Sequence, residues 1–308
     1  MPDTRALLIG IAVAGVLLAG CGSGAPGTPA PATRAASADP RLQATGPPYP
    51  VAGRAPAVAR GLAARWAAAP WQEPGTGTTI AFRAIDYSAT VFGAGTTGGF
   101  TAFITTRRTV LVNATSAATI IGTNAASPRF ATPADRLLWE KAGQPSLGQA
   151  PPAGQRQAIA AGDYTFLPQG STLTYRQARS LPGTAGGLAA VILSHLRAYA
   201  GQHPPASLTL RELAYLIATA PLTKAARSAA WQVIASLPRL HICQAGPESQ
   251  PPRHLGLCLT SGGDETVVGV DLGTASIGAI SDRLVRPSPL YPDVAAGTIV
   301  GSSTFATS

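Results

Sequence analysis

The apolar positions change period several times along this chain, and each change marks an element. Residues 6–19 form an unbroken run of Leu, Ile, Val, Ala and Gly, whereas 22–50 holds almost no large apolar side chain. From 55 to 69 the period becomes helical. Val58, Leu62 and Trp66 recur every four residues, Arg60 and Arg65 fall on other faces, and Pro56 sits near the first turn, where proline is tolerated. Residues 78–92 and 100–112 then alternate in type and are rich in β-branched and aromatic side chains, which predicts two long strands joined by a turn over 93–99. A further strand is expected over 117–123.

The segment 132–143 carries its own punctuation. Thr132 is an N-cap residue, Pro133 fits the first helical position, Asp135 favours a helix N-terminus and Gly143 stops the helix. Residues 144–181 read as loop with one strand at 163–167. Helices are expected over 185–201, 208–219 and 224–237. Thr209 and Glu212 have the spacing of a capping box for the second, and Thr223 caps the third. Leu188, Val191, Ile192, Leu196 and Tyr199 make the apolar face of the first. Strands return over 240–244, 255–260, 266–271, 277–284 and 298–305. Strands, then helices, then strands predict an α+β fold, one antiparallel β-sheet interrupted by a helical insertion at about 185–237.

The first stretch is an address. A run of about fourteen apolar residues falls short of the roughly twenty that a bilayer-spanning helix needs, and it ends in Leu18-Ala19-Gly20-Cys21. This pattern predicts a lipoprotein signal peptide over 1–20, cut just before Cys21. Only a thiol can form the thioether to diacylglycerol, and small side chains before it fit the signal peptidase. Residues 21–54, rich in Pro, Gly and Ala, cannot bury enough surface to offset the entropy of ordering, so they are expected to act as a disordered tether. The expected location is the extracytoplasmic face of a cell membrane, with the lipid on Cys21 as the membrane contact.

About 250 residues remain, enough for a single domain over 55–308. The chain is 45% hydrophobic with a net charge of +9. Its cations are nearly all arginine, Lys141 and Lys224 being the lysines, and they are scattered, with Arg107-Arg108 the adjacent pair. A basic stripe with interleaved aromatics is missing, which argues against nucleic acid as a partner. Of the three cysteines, lipidation of Cys21 leaves Cys243 and Cys258, an even pair suited to an oxidising compartment. They lie in two short apolar runs around a Pro-, Gly- and Ser-rich loop, and neighbouring antiparallel strands would bring them within bridging distance. A metal site with His241 and His254 is the rival reading; the irregular spacing favours the disulfide, and no metal is expected.

Catalytic motifs fail one by one. Val268-Gly-Val-Asp-Leu-Gly-Thr-Ala-Ser276 is similar to the phosphate-binding turn of the actin and sugar-kinase ATPases, but that turn opens a long nucleotide-binding domain and here only some thirty residues follow. A hairpin turn with Gly273 supplying unusual backbone angles is the expected alternative. Ser276 has no glycine two residues before it, so it is not a nucleophile elbow. Ser194 and His195 are helix neighbours that point apart, His203 sits at a helix exit, and Asp264-Glu265 follow Gly-Gly as turn residues. Neither an enzyme nor a cofactor is expected.

Two strings carry a family resemblance: Pro128-Arg-Phe-Ala-Thr-Pro-Ala-Asp-Arg-Leu-Leu-Trp-Glu-Lys-Ala-Gly-Gln-Pro145 and Ala225-Ala-Arg-Ser-Ala-Ala-Trp-Gln-Val-Ile-Ala-Ser-Leu-Pro238. With the closing hairpin near Asp271-Leu-Gly-Thr, they make residues 55–308 resemble an actinobacterial family of uncharacterised, membrane-anchored extracytoplasmic proteins. By order of elements that family is distantly similar to the half-barrel lipoprotein carriers and regulators. The resemblance implies a curved, half-barrel-like antiparallel sheet covered by an N-terminal helix and the helical insertion. The expected function is a non-catalytic binder of lipid or another apolar ligand between sheet and helices; the alternative is a protein-interaction or sensory module at the envelope surface whose cavity is filled by its own side chains. No motif names ligand-lining residues for the first.

Overall fold

The structure, a computed structural model, describes residues 55–70, 79–93, 99–122, 128–145, 147, 156–160, 164–167, 173–243, 254–291 and 294–307. The expected signal peptide, Cys21 and the tether lie outside the described residues, as do most of the 93–99 turn and the loop between the cysteine-bearing strands. No described helix is long and apolar enough to cross a membrane.

The fold is α+β, with a curved, open antiparallel sheet under a layer of helices. Strands β1 (Ile80–Phe92), β2 (Phe100–Val112), β3 (Ser116–Gly122), β4 (Arg129–Phe130) and β5 (Arg156–Ala160) come first, with helix α1 (Ala55–Ala68) before them and α2 (Pro133–Lys141) between β4 and β5. The helical insertion follows as α3 (Tyr175–Arg179), α4 (Ala185–Ala200), α5 (Ala206–Thr219) and α6 (Lys224–Ser236). Strands β6 (His241–Cys243), β7 (His254–Ser261), β8 (Asp264–Asp271), β9 (Ser276–Leu284) and β10 (Ile299–Thr307) complete the chain. Their order in the sheet is β5-β3-β2-β1-β10-β9-β8-β7-β6, with β4 paired to β2. The first and last strands therefore meet in the middle, Asp86 opposite Ser303.

Alternation along the strands decides which face is covered. Ile80, Phe82 and Ala84 of β1, Val110 and Val112 of β2, and Val268 and Val270 of β8 point into the main core. The helices fill the other side of that core with Leu62, Trp66, Leu188, Ile192, Leu210, Leu213 and Trp231, each at most 2% exposed. Burying such side chains contributes about 1.5–3 kcal/mol apiece. Helix α1 packs on α6, where the Ser228 hydroxyl donates to the Ala63 carbonyl at 3.0 Å. It is also bolted to the β8–β9 turn: Arg65 donates to the Leu272 carbonyl at 2.8 Å and Trp66 Nε1 to the Ala275 carbonyl at 3.1 Å. The N-terminal helix and the insertion thus cover one face together.

Several local expectations need correction. The strand expected over 163–167 does not form: 164–167 lack strand pairing, and Tyr164, Phe166 and Leu167 plug the core instead, with Tyr164 and Phe166 edge to face at 5.1 Å. The strand of that region is β5, paired with β3. Thr209 and Glu212 do not cap α5. The helix starts a turn earlier at Ala206, its N-cap Pro205 has no side-chain cap bond, and both residues are buried within the helix. Gly273 does not carry the strained angle of the β8–β9 turn; Ala275 does, at φ 55°. The Asp271 carboxylate accepts from Gly273 N and Thr274 N at 2.7 and 3.2 Å, which shapes the turn and passes the left-handed position along. By contrast, α2 has the Thr132–Asp135 capping box and Pro133 in its first turn, and Thr223 caps α6.

Candidate functional site

Beyond the apolar half of the helix-covered face, the same alternation brings polar side chains under α5. Asp86 and Ser303 are direct cross-strand partners, and the Ser303 hydroxyl donates to Asp86 Oδ1 at 2.6 Å. Arg108, diagonal to Asp86 on β2, meets it at 2.7 Å through Nε. Arg108 Nη2 also donates to the Tyr215 hydroxyl of α5 at 2.6 Å. A second bridge runs in the reverse direction from the helix. Arg211, one turn before Tyr215, donates to Asp282 Oδ2 at 3.0 Å, while Thr266 donates to Asp282 Oδ1 at 2.7 Å from the neighbouring strand. Two arginines therefore pin α5 to the sheet, one from each side. Burial alone would lower the pKa of Arg108, but Tyr215 and Asp86 outweigh it and raise it; burial raises that of Tyr215.

Glu212 sits beside this network without joining it. It is 1% exposed, and neither carboxylate oxygen has a hydrogen-bond partner among the described residues. The Nε of Arg211 stands 3.9 Å away but is already committed by its guanidinium to Asp282. Burial pushes the Glu212 carboxyl up to about 7, against the pull of Arg211. This group exchanges its proton near neutrality in a closed interior.

The opposite face of the sheet carries the second cluster, around the cysteines. Cys243 and Cys258 form a disulfide, their Cα atoms 6.0 Å apart on the antiparallel pair β6–β7. The expected bridging strands are therefore present. His241, directly opposite Cys258, places Nε2 3.2 Å from Glu265 Oε1 and Nδ1 3.2 Å from the Arg239 carbonyl. Arg283, directly opposite Glu265 on β9, binds Glu265 Oε2. Asp264 and Glu265 are thus not turn residues: the turn is Gly262-Gly263, Asp264 opens β8, and Glu265 is 6% exposed within it.

Neither cluster is a nucleophilic triad. Ser276 opens β9 and shares a 2.7 Å hydrogen bond with Thr274, and Ser194, His195 and His203 stay on or just past α4. The sequence marks His241 as a candidate ligand beside its cysteines, but it reads Glu265 as a turn residue and Glu212 as part of a helix cap, and it singles out neither Arg283 nor the α5 network. Comparison with protein-family models, with curated proteins and with solved structures gives no match. The reading of function rests on the geometry and the sequence alone.

Proposed function

We propose that the chain is a lipid-anchored, non-catalytic interaction module on the extracytoplasmic face of a membrane. Cys21 is its attachment point and residues 21–54 its tether. The observation that carries this reading is the filled space between sheet and helices. Trp66, Trp231, Tyr175, Phe82, Phe166 and Leu173 occupy it at 2% exposure or less, so its own side chains stand where a carrier would seat an apolar ligand. That favours the alternative over the expected ligand binder. The likeness to the actinobacterial anchored family supports the same address.

The contact surface in this reading is the side of the sheet centre that faces away from the described helices α1 and α3–α6. There Ile85, 42% exposed, stands opposite Arg107 on β2 with Arg83 exposed two residues before it. An apolar side chain between two cations suits an acidic protein partner. The test is native mass spectrometry of the exported Cys21→Ser chain, together with photo-crosslinking from position 85 in intact cells. A bare mass and a discrete crosslinked envelope protein are expected. A reproducible added mass that solvent extraction removes would overturn the proposal in favour of a lipid carrier.

A further inference from the structure

The side chains around the disulfide are arranged for more than a covalent staple. The ligand atoms of His241, Cys258 and Glu265 all lie within 4.8 Å of one another, and Cys243 is bonded to Cys258. One sulfur, one imidazole nitrogen and one carboxylate oxygen therefore converge from three strands, and the Cys243 sulfur is bonded to the first. In a tetrahedral zinc site, with metal–ligand bonds of about 2.0–2.3 Å, neighbouring ligand atoms stand about 3.3–3.8 Å apart. Closing these three around an ion shortens their separations by up to about 1–1.5 Å, and breaking the S–S bond lets the two sulfurs part to ligand spacing.

The outer contacts are those that metal ligands use. Without an ion, Nε2 donates to Glu265; with an ion in its place and the proton on Nδ1, His241 donates to the Arg239 carbonyl and turns its Nε2 lone pair to the metal. Arg283 holds Glu265 by its other oxygen, leaving Oε1 turned toward the histidine. Charge balances too. Two thiolates and one carboxylate around a divalent ion leave one negative charge, which the Arg283 guanidinium offsets. His241 and Arg283 are partly exposed, at 47% and 39%, so the ion has a path from solvent.

We propose that reduction of the Cys243–Cys258 disulfide opens a mononuclear site for a thiolate-preferring divalent ion of the zinc class, with Cys243, Cys258, His241 and Glu265 as ligands. The oxidised chain is closed to the ion because each sulfur is spent on the other. A dithiol reductant delivers two electrons and two protons, the S–S bond breaks to two thiols, and the reductant leaves as its own disulfide. Binding of the ion then releases both thiol protons. The site is a redox switch: disulfide in the oxidised chain, metal cross-link in the reduced one.

The probe is Co2+ added to the full chain, before and after reduction with a phosphine that is then removed; a dithiol left in solution would chelate the ion. One equivalent should bind the reduced chain only, with sulfur-to-cobalt absorption in the near ultraviolet and tetrahedral bands in the visible. His241→Ala and Glu265→Gln should each weaken binding about 10-fold or more, with His203→Ala as the unaffected control. Far-ultraviolet circular dichroism follows the fold throughout. No cobalt uptake by the reduced chain overturns the proposal, as does uptake that both variants leave unchanged. So does reduction that dissolves the fold without its return on adding Co2+.

Discussion

Replacing Glu212 by Gln removes a buried carboxylate to which no described residue donates a hydrogen bond. Its pKa rises from an ordinary 4.5 to about 7 in the folded chain. Below pH 4.5 the group is protonated in both states and costs nothing. Between pH 4.5 and 7 the folded chain keeps a proton that the unfolded chain has released, so stability falls as pH rises, by up to about 1.4 kcal/mol per pH unit. Above pH 7 both forms are ionised and the full penalty of about 3 kcal/mol stands. Glutamine carries no charge at either extreme, and its own unmet amide costs the same at every pH. Chemical denaturation of the native chain and of Glu212→Gln at pH 5 and pH 8 isolates the effect, because groups common to both chains largely cancel. The advantage of Glu212→Gln should be larger at pH 8 by about 2.5 kcal/mol. Parallel stabilities at the two pH values would refute the reasoning and mean that Glu212 has a donor or water that stabilises its charge.

Tyr215→Phe deletes the hydroxyl that accepts from Arg108 and leaves Arg108 to Asp86 alone. A loss of about 1.5–3 kcal/mol is expected in thermal or urea denaturation, and an unchanged midpoint would mean that this bridge does not hold α5. Cys243→Ser opens a loop of 15 residues' separation and should cost about 3 kcal/mol. The remaining Cys258, buried in the sheet, should react with thiol reagents only on unfolding; rapid labelling of the native variant would contradict its burial. Cys21→Ser should move the chain from the membrane fraction to the released fraction and remove the diacylglyceryl mass from its N-terminus. Retention in the membrane would sink the lipid-anchor reading.

Where the physics is local, the chain was legible. The helix at Thr132 could be read because its cap, first-turn proline, acidic residue and stop glycine all act within one short segment. The long strands and the insertion helices could be read from period alone, and the cysteine pair from two short apolar runs. Other signals were present but misweighed. Thr174 and Gln177 form a working capping box for α3 inside a segment read as loop. Thr209 and Glu212 show the same spacing and form none, because Pro204-Pro205 already starts the helix a turn earlier. The polar clusters were out of reach for a different reason. Asp86 and Ser303 are 217 residues apart, Arg211 and Asp282 71, and His241 and Glu265 24. Their partnership exists only once register is set, and no spacing along the chain encodes it.

The pairing of β1 with β10 also sets an order of events. In most sheets a late strand adds to an edge; here it fills the centre, and without it β1–β2–β3–β5 and β9–β8–β7–β6 are two half-sheets with no bond between them. Helix α1 is under the same constraint, since its carbonyl acceptors at Leu272 and Ala275 lie more than two hundred residues downstream. A chain emerging from its N-terminus can therefore form hairpins and helices but cannot close its core until the final segment is free. Closure of such distant ends is slow, and the waiting halves expose strand edges meanwhile. Trimming β10 would split the sheet through its middle.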